Sequence, residues 1–216
     1  MSETTREKMK EAAARLFYTQ GYHGTSVRHI AEQANVNIAL VSYYFGGKKG
    51  LFELLMTDFL EGYLQAMKVD EEKIKSQDAR DQLLTMMHSL LCYQQKHYHL
   101  ARMVHREMTM DSILVRELMS TYLRKEKHDV EKIIRKGMRE GRFIGQPVDF
   151  VLIQIRGMVT LPYYSPQYFR ELYQLSTTEP YFIDRYAEHL VRWIDSCLCG
   201  ISEPRTNRII SRVNLA

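Results

Sequence analysis

Cysteine is scarce in this 216-residue chain, with only Cys92, Cys197 and Cys199. Three thiols without framework spacing exclude a disulfide scaffold. The Cys197-Leu198-Cys199 pair beside His189 lacks the second ligand pair that a structural metal site needs, so the three thiols read as small buried hydrophobes and no cofactor or metal is expected. No apolar run approaches the roughly 20 residues that span a bilayer, and the charged start, Met-Ser-Glu-Thr-Thr-Arg-Glu, has no signal-like apolar stretch. The expectation is a cytoplasmic, nucleoid-associated protein. Proline is missing from residues 1–146; all five prolines (147, 162, 166, 180 and 204) fall in the last third. Nucleophile elbows, phosphate loops and Gly-rich cofactor turns are also missing, and His97, His99 and His105 do not fall on one helical face with a carboxylate. Nothing therefore points to an enzyme.

What is present is helix. Apolar residues recur at three and four, with few β-branched alternations. The first helix is expected from about Thr4 to Gln20, burying Met9, Ala13, Leu16 and Phe17 and stopped by Gly21. Thr25 or Ser26 caps a short helix ending at Ala34, a third runs from Asn37 to Phe45, and Gly46-Gly47 separates it from a longer one over 48–67. Later helices are expected at about 78–96, 97–109, 112–140, 148–161 and 180–198, with a broken connection holding one short helix over 162–179. The fold class is thus all-α: a helix-turn-helix unit at 1–47, a larger helical regulatory and dimerisation domain at 48–200, and a basic tail at 201–216. The net charge of +4 is uneven. Residues 1–50 carry seven Lys/Arg against four acids, and the tail adds Arg205, Arg208 and Arg212 against Glu203. A basic head on a near-neutral body suits a polyanion-binding module.

Residues 26–45 have helix-turn-helix spacing. Ile30 and Ala31 face inward, Asn35 occupies a turn needing positive φ, and Val36, Val41 and Phe45 form the inner side of the second helix. At about 100° per residue, Ala39 and Tyr43 then point almost opposite Val41, flanked by Leu40 and Ser42. With Asn37 and Ile38 these are the groove-facing candidates: Ile38, Ala39 and Leu40 for thymine methyls, Asn37 or Ser42 for base edges, Tyr43 for a phosphate. Thr25, Ser26 and Arg28 at one helix start, and Lys48 and Lys49 at another, are expected to hold phosphates.

These residues closely resemble the DNA-binding domain of TetR-family regulators. The run A-A-A-R-L-F-Y-T-Q-G-Y-H-G-T-S-V-R-H-I-A-E-Q-A-N-V-N-I-A-L-V-S-Y-Y-F-G-G-K-K-G-L-F carries the likeness, departing from it by Asn35 at the usual turn glycine and Asn37 at the usual capping serine. The resemblance implies a homodimer on a palindromic double-stranded DNA site, paired through its last long helices, with Ile153, Ile155, Met158, Tyr186, Leu190 and Trp193 as interface candidates. It also implies a small-molecule cavity, for which Met86, Met87, Met103, Tyr122, Met158 and Tyr163 are candidates; no charged anchor stands out. A narrower likeness, carried by residues 42–51, 101–107, 114–118 and 177–182, is to the branch of that family regulating the tubulin-like division protein FtsZ during sporulation. It implies a protein-contacting surface, with Glu53, Glu61, Arg102, Arg116, Glu117 and Glu179 as candidates.

Overall fold

The computed structural model describes residues 3–68, 77–110 and 113–200, and among these all regular structure is helical. The ten helices are α1 (Glu3–Gly24), α2 (Val27–Ala34), α3 (Ile38–Phe45), α4 (Lys48–Met67), α5 (Ala79–Lys96), α6 (Tyr98–Met108), α7 (Ile113–Arg139), α8 (Val148–Tyr164), α9 (Pro166–Tyr173) and α10 (Pro180–Cys197). The tail expected at 201–216 lies outside the described residues. No helix among them is long and apolar enough to cross a membrane.

The boundaries follow local chemistry. Gly21, with φ +79°, breaks α1 one turn before its end, a conformation that costs glycine little. Asp78 caps α5 by accepting from the Asp81 N–H. The expected stop near 161 is overridden, because α8 runs on through Pro162. A proline cannot donate to the carbonyl four residues back. Here that carbonyl, on Met158, accepts instead from the Tyr186 hydroxyl of α10 at 2.9 Å. Tyr186 is thereby spent inside the chain.

The head is built on Met9, Ala13, Phe17, Ile30 and Val41, all fully buried. Helix α4 runs from the head into the body, burying Leu51, Phe52, Leu55, Met56 and Phe59. Helix α6 packs along α1, with Arg106 Nη1 donating to the Tyr18 carbonyl at 2.6 Å. Arg102 bridges the Tyr18 hydroxyl (2.8 Å) and the Tyr164 carbonyl at the end of α8 (3.0 Å). Head and body therefore share charge-assisted hydrogen bonds as well as apolar contact.

Two polar side chains, Gln94 and His105, are buried as a pair in the body. Gln94 donates through Nε2 to the Leu90 and Val159 carbonyls and accepts through Oε1 from His105 Nε2 at 2.8 Å. Burial, assisted by the Arg156 and Arg102 charges, pushes the His105 imidazole down to about 3, so it is neutral at physiological pH. Its unfolded value lies near 6.5, so the unfolded chain binds the extra proton between those limits. Stability is expected to fall as pH drops from about 6.5 toward 3, and His105→Gln should flatten that slope. Urea melts at stepped pH check this; equal slopes for both proteins would contradict it.

The three cysteines are only half-buried or, at Cys197, exposed, correcting the expectation of buried thiols. The chain bends after α10 just there, and Gly200 adopts a positive φ.

Candidate nucleic-acid interface

The turn between α2 and α3 is made by Asn35 in the left-handed region at φ +53°. Its N–H and that of Val36 return to the carbonyls of Glu32 (3.1 Å) and Ala31 (2.9 Å), so the chain reverses within two residues. Ala31 is small enough for α3 to cross close, and Val41 fills the gap with its side chain fully buried. Asn37 then caps α3, its Oδ1 accepting from the Ala39 N–H at 2.9 Å. Both departures from the family pattern thus perform the expected backbone tasks.

The outward side of α3 presents Ile38, Ala39, Ser42 and Tyr43, all exposed, with Tyr43 80% accessible and edge-on to Tyr44 at 5.1 Å. Asn37 and Arg28 are also exposed. His29 of α2 is exposed as well, a residue without a sequence signal of its own. Leu40 is half-buried against the core, so only part of its side chain is free for a groove.

On the flanks one of two open alternatives is taken and two expectations change. Ser26, not Thr25, caps α2, accepting from the His29 N–H at 3.1 Å. Thr25 is 2% exposed and donates to the Gly21 carbonyl, so its hydroxyl is not available to a phosphate. Lys48 is no free clamp either. Its ammonium donates to the Tyr22 carbonyl (3.0 Å) and the Thr25 carbonyl (2.9 Å) and lies 4.3 Å from the Tyr22 ring. It ties the first residue of α4 to the end of α1, satisfying one carbonyl of the last helical turn and one of the connection that follows. Lys49 is exposed, and its 3.7 Å pairing with Glu53 is of the solvated kind that exchanges easily. Lys48→Ala should therefore lower stability by about 2 kcal/mol through two lost charge-assisted bonds, whereas Lys49→Ala should leave the melt unchanged and lower the salt slope of DNA binding by about one. Melting curves and binding at graded salt separate the two; a reversed pattern would contradict the assignment.

The interface candidates of the body divide. Ile155 and Leu190 are core residues, and Met158, Tyr186 and Trp193 are half-buried against the core. Only Ile153 stands exposed, and it belongs to a stripe on α8 with Phe150, Gly157, Leu161 and Tyr164. Those positions fall within one quadrant of the helix at 100° per residue. Helical periodicity alone could not say which side of α8 the body would take.

The charged residues expected at a protein contact are engaged to different degrees. Arg102 is engaged by Tyr18 and the end of α8, Glu53 pairs with Lys49, and Glu61 accepts from Tyr122 at 3.4 Å. Arg116 and Glu117 are exposed on α7, while Glu179 precedes Pro180 without a side-chain capping bond.

Between α5, α7 and α8 lies a cavity of about 430 Å³. Met86, Leu90, Leu152 and Val159 line it, with Tyr63, Glu126 and Arg156 as its inner polar groups. Of the expected cavity residues Met86 alone lines it; Met87, Met103 and Tyr163 are solid core. Among the described residues no cluster of metal-ligating side chains occurs.

Comparison with known proteins agrees with this geometry. The family profile described as bacterial regulatory proteins, tetR family, matches residues 11–55. The "Probable HTH-type transcriptional regulator YttP" of Bacillus subtilis is 41% identical over 196 residues, 91% of this chain and 95% of that protein. Among solved structures, the ketosteroid transcriptional regulator KstR2 of Mycobacterium tuberculosis superposes with a TM-score of 0.73 at 15% identity, over 92% of this chain and 97% of that one. The transcriptional regulator FadR of Bacillus subtilis, in complex with stearoyl-CoA, gives 0.65 at 20% identity over 86% and 97%. On a helix-turn-helix so built and a likeness that spans nine-tenths of its length, the chain belongs to the TetR family of bacterial regulatory proteins and is a DNA-binding transcriptional regulator rather than an enzyme.

Proposed function

We propose that the chain works as a homodimer in which residues 1–47 form the reading head and residues 48–200 the dimerising, effector-sensing body. Each protomer lays α3 in the major groove of one half of a palindrome. The observation that carries this reading is the outward face of α3: small or polar at Ala39 and Ser42, apolar at Ile38, and tipped by the exposed Tyr43. No arginine lies on that helix, which favours thymine methyls and shape over bidentate guanine readout. Arg28 and Lys49 flank it as phosphate contacts, and the Ser26-capped start of α2 offers free N–H groups.

The Phe150-Ile153-Gly157-Leu161-Tyr164 stripe is the dimer seam. An added Cβ at Gly157 would meet nothing within 4 Å, so the seam has room for a second backbone to approach. Duplicating the head in this way doubles the phosphate contacts and the base pairs read.

The cavity supports a small-molecule effector. Its volume lies within the range of ligand sites, about 300–1,000 Å³, and its walls are mainly apolar. FadR, whose fold this chain shares, is seen with stearoyl-CoA. The narrower reading, a RefZ-like regulator that acts on FtsZ, is carried by the segments at 42–51, 101–107, 114–118 and 177–182. Genome-wide crosslinking tests these readings together. Palindromic sites beside a regulated promoter are expected for an effector-relieved repressor. Sites clustered about the replication origin would turn the account toward the RefZ-like one, and bound DNA lacking inverted symmetry would overturn both.

A further inference from the structure

The polar end of the cavity is one ion pair. Glu126 of α7 and Arg156 of α8 meet there, and the Tyr63 hydroxyl donates to the Glu126 carboxylate at 3.4 Å. The pair, with Tyr63 and Leu123, also lines a second void of about 20 Å³, bounded by Phe59, Val104, His105 and Tyr122. It therefore stands as a partition between the open cavity and the α6 side of the body.

The two partners are not equally free to leave. The Glu126 side chain is 11% exposed, short, and fixed to the middle of α7 beside Tyr63. The Arg156 side chain is 34% exposed, on a long stem that can carry its guanidinium out to water. A buried carboxylate without a counter-charge is strongly disfavoured, so whatever releases Arg156 must replace its charge. Nearby groups do not supply that charge. His105 is neutral, and Lys127 at the rim is paired with Asp149 at 2.8 Å.

We propose that the cavity binds an apolar organic cation whose charge takes the place of the Arg156 guanidinium on Glu126, its body lying along Met86, Leu90, Leu152 and Val159. The inference rests on the reading of this cavity as the effector site. Tyr63 lines the cavity next to the carboxylate and Phe59 lines the adjoining void, which puts two aromatic rings within the lining that a cation would meet. Displacing Arg156 removes the partition and lets the ligand reach the void beside His105 on α6. Helix α6 carries Arg102 and Arg106, which grip Tyr18 of α1, so occupancy there bears directly on the placement of the reading head.

Titration of the full chain with tetraphenylphosphonium and with tetraphenylborate, ions of nearly equal shape and opposite charge, tests this. Saturable binding of the cation is expected, at least about tenfold tighter than the anion. Glu126→Gln should erase that preference, while Arg156→Gln, which removes the competing cation, should tighten tetraphenylphosphonium by about tenfold. The second variant keeps the test sharp should the first fail to fold, since weaker cation binding in Arg156→Gln overturns the proposal. So does a preference for tetraphenylborate, or binding of neither ion. DNA affinity measured alongside separates the site from its role. Glu126-dependent cation binding that leaves DNA affinity unchanged upholds the site and contradicts the effector reading. Release of DNA by tetraphenylborate alone does the reverse.

Discussion

Ala39→Glu is expected to weaken operator binding by at least about a hundredfold while leaving the circular dichroism spectrum and the dimer intact. Ala39 is exposed at the centre of the outward face of α3, and its backbone N–H is capped by Asn37. A surface substitution that disturbs no such contact usually changes stability by less than about 0.5 kcal/mol, and glutamate is a good helix former. Against DNA the new carboxylate meets phosphates of like charge and would be buried unpaired at an interface, a penalty of about 2–5 kcal/mol. Loss of binding with an unchanged fold therefore isolates the face from the scaffold. Retained binding would place the reading surface elsewhere.

Gly50→Ala should be the most damaging of the small substitutions in the head, lowering stability by about 3 kcal/mol or more. Replacing glycine by alanine inside a helix ordinarily stabilises by about 1 kcal/mol. At Gly50 the sign reverses, because an added Cβ would stand 2.0 Å from the Phe45 carbonyl oxygen, which is backbone and cannot rotate away. Relief requires the end of α3 to lift from the start of α4, tilting the outward face as well. Thermal melts and operator binding should fall together, and a variant as stable as the parent would contradict the close approach. Gly46 and Gly47, by contrast, have no neighbour within 4 Å of an added Cβ, though both sit at positive φ.

Much of this was legible in the sequence because it is local. The αL turn at Asn35, the cap at Asn37 and the break at Gly21 follow from what one or two residues can do with their own backbone. Helix ends in the body followed likewise, except at Pro162. There the deciding group, the Tyr186 hydroxyl, comes from a helix 24 residues further along. The same limit explains Lys48: a lysine at a helix start reads as a phosphate contact until the Tyr22 and Thr25 carbonyls appear beside it. Ile155 and Leu190 looked as suitable for a dimer seam as Ile153, since periodicity marks an apolar side of a helix but not what covers it. The Glu126–Arg156 pair joins two helices thirty residues apart, and neither residue stands out in the pattern of its own helix.

Photo-crosslinking from benzoylphenylalanine at Tyr43 tests the central claim most directly. With α3 in the groove, irradiation of the operator complex should join position 43 to nucleotides at two symmetric places, one in each half of the palindrome, while the same group placed at Tyr181 of α10 should give no adduct. Adducts from Tyr181 and none from position 43 would contradict it.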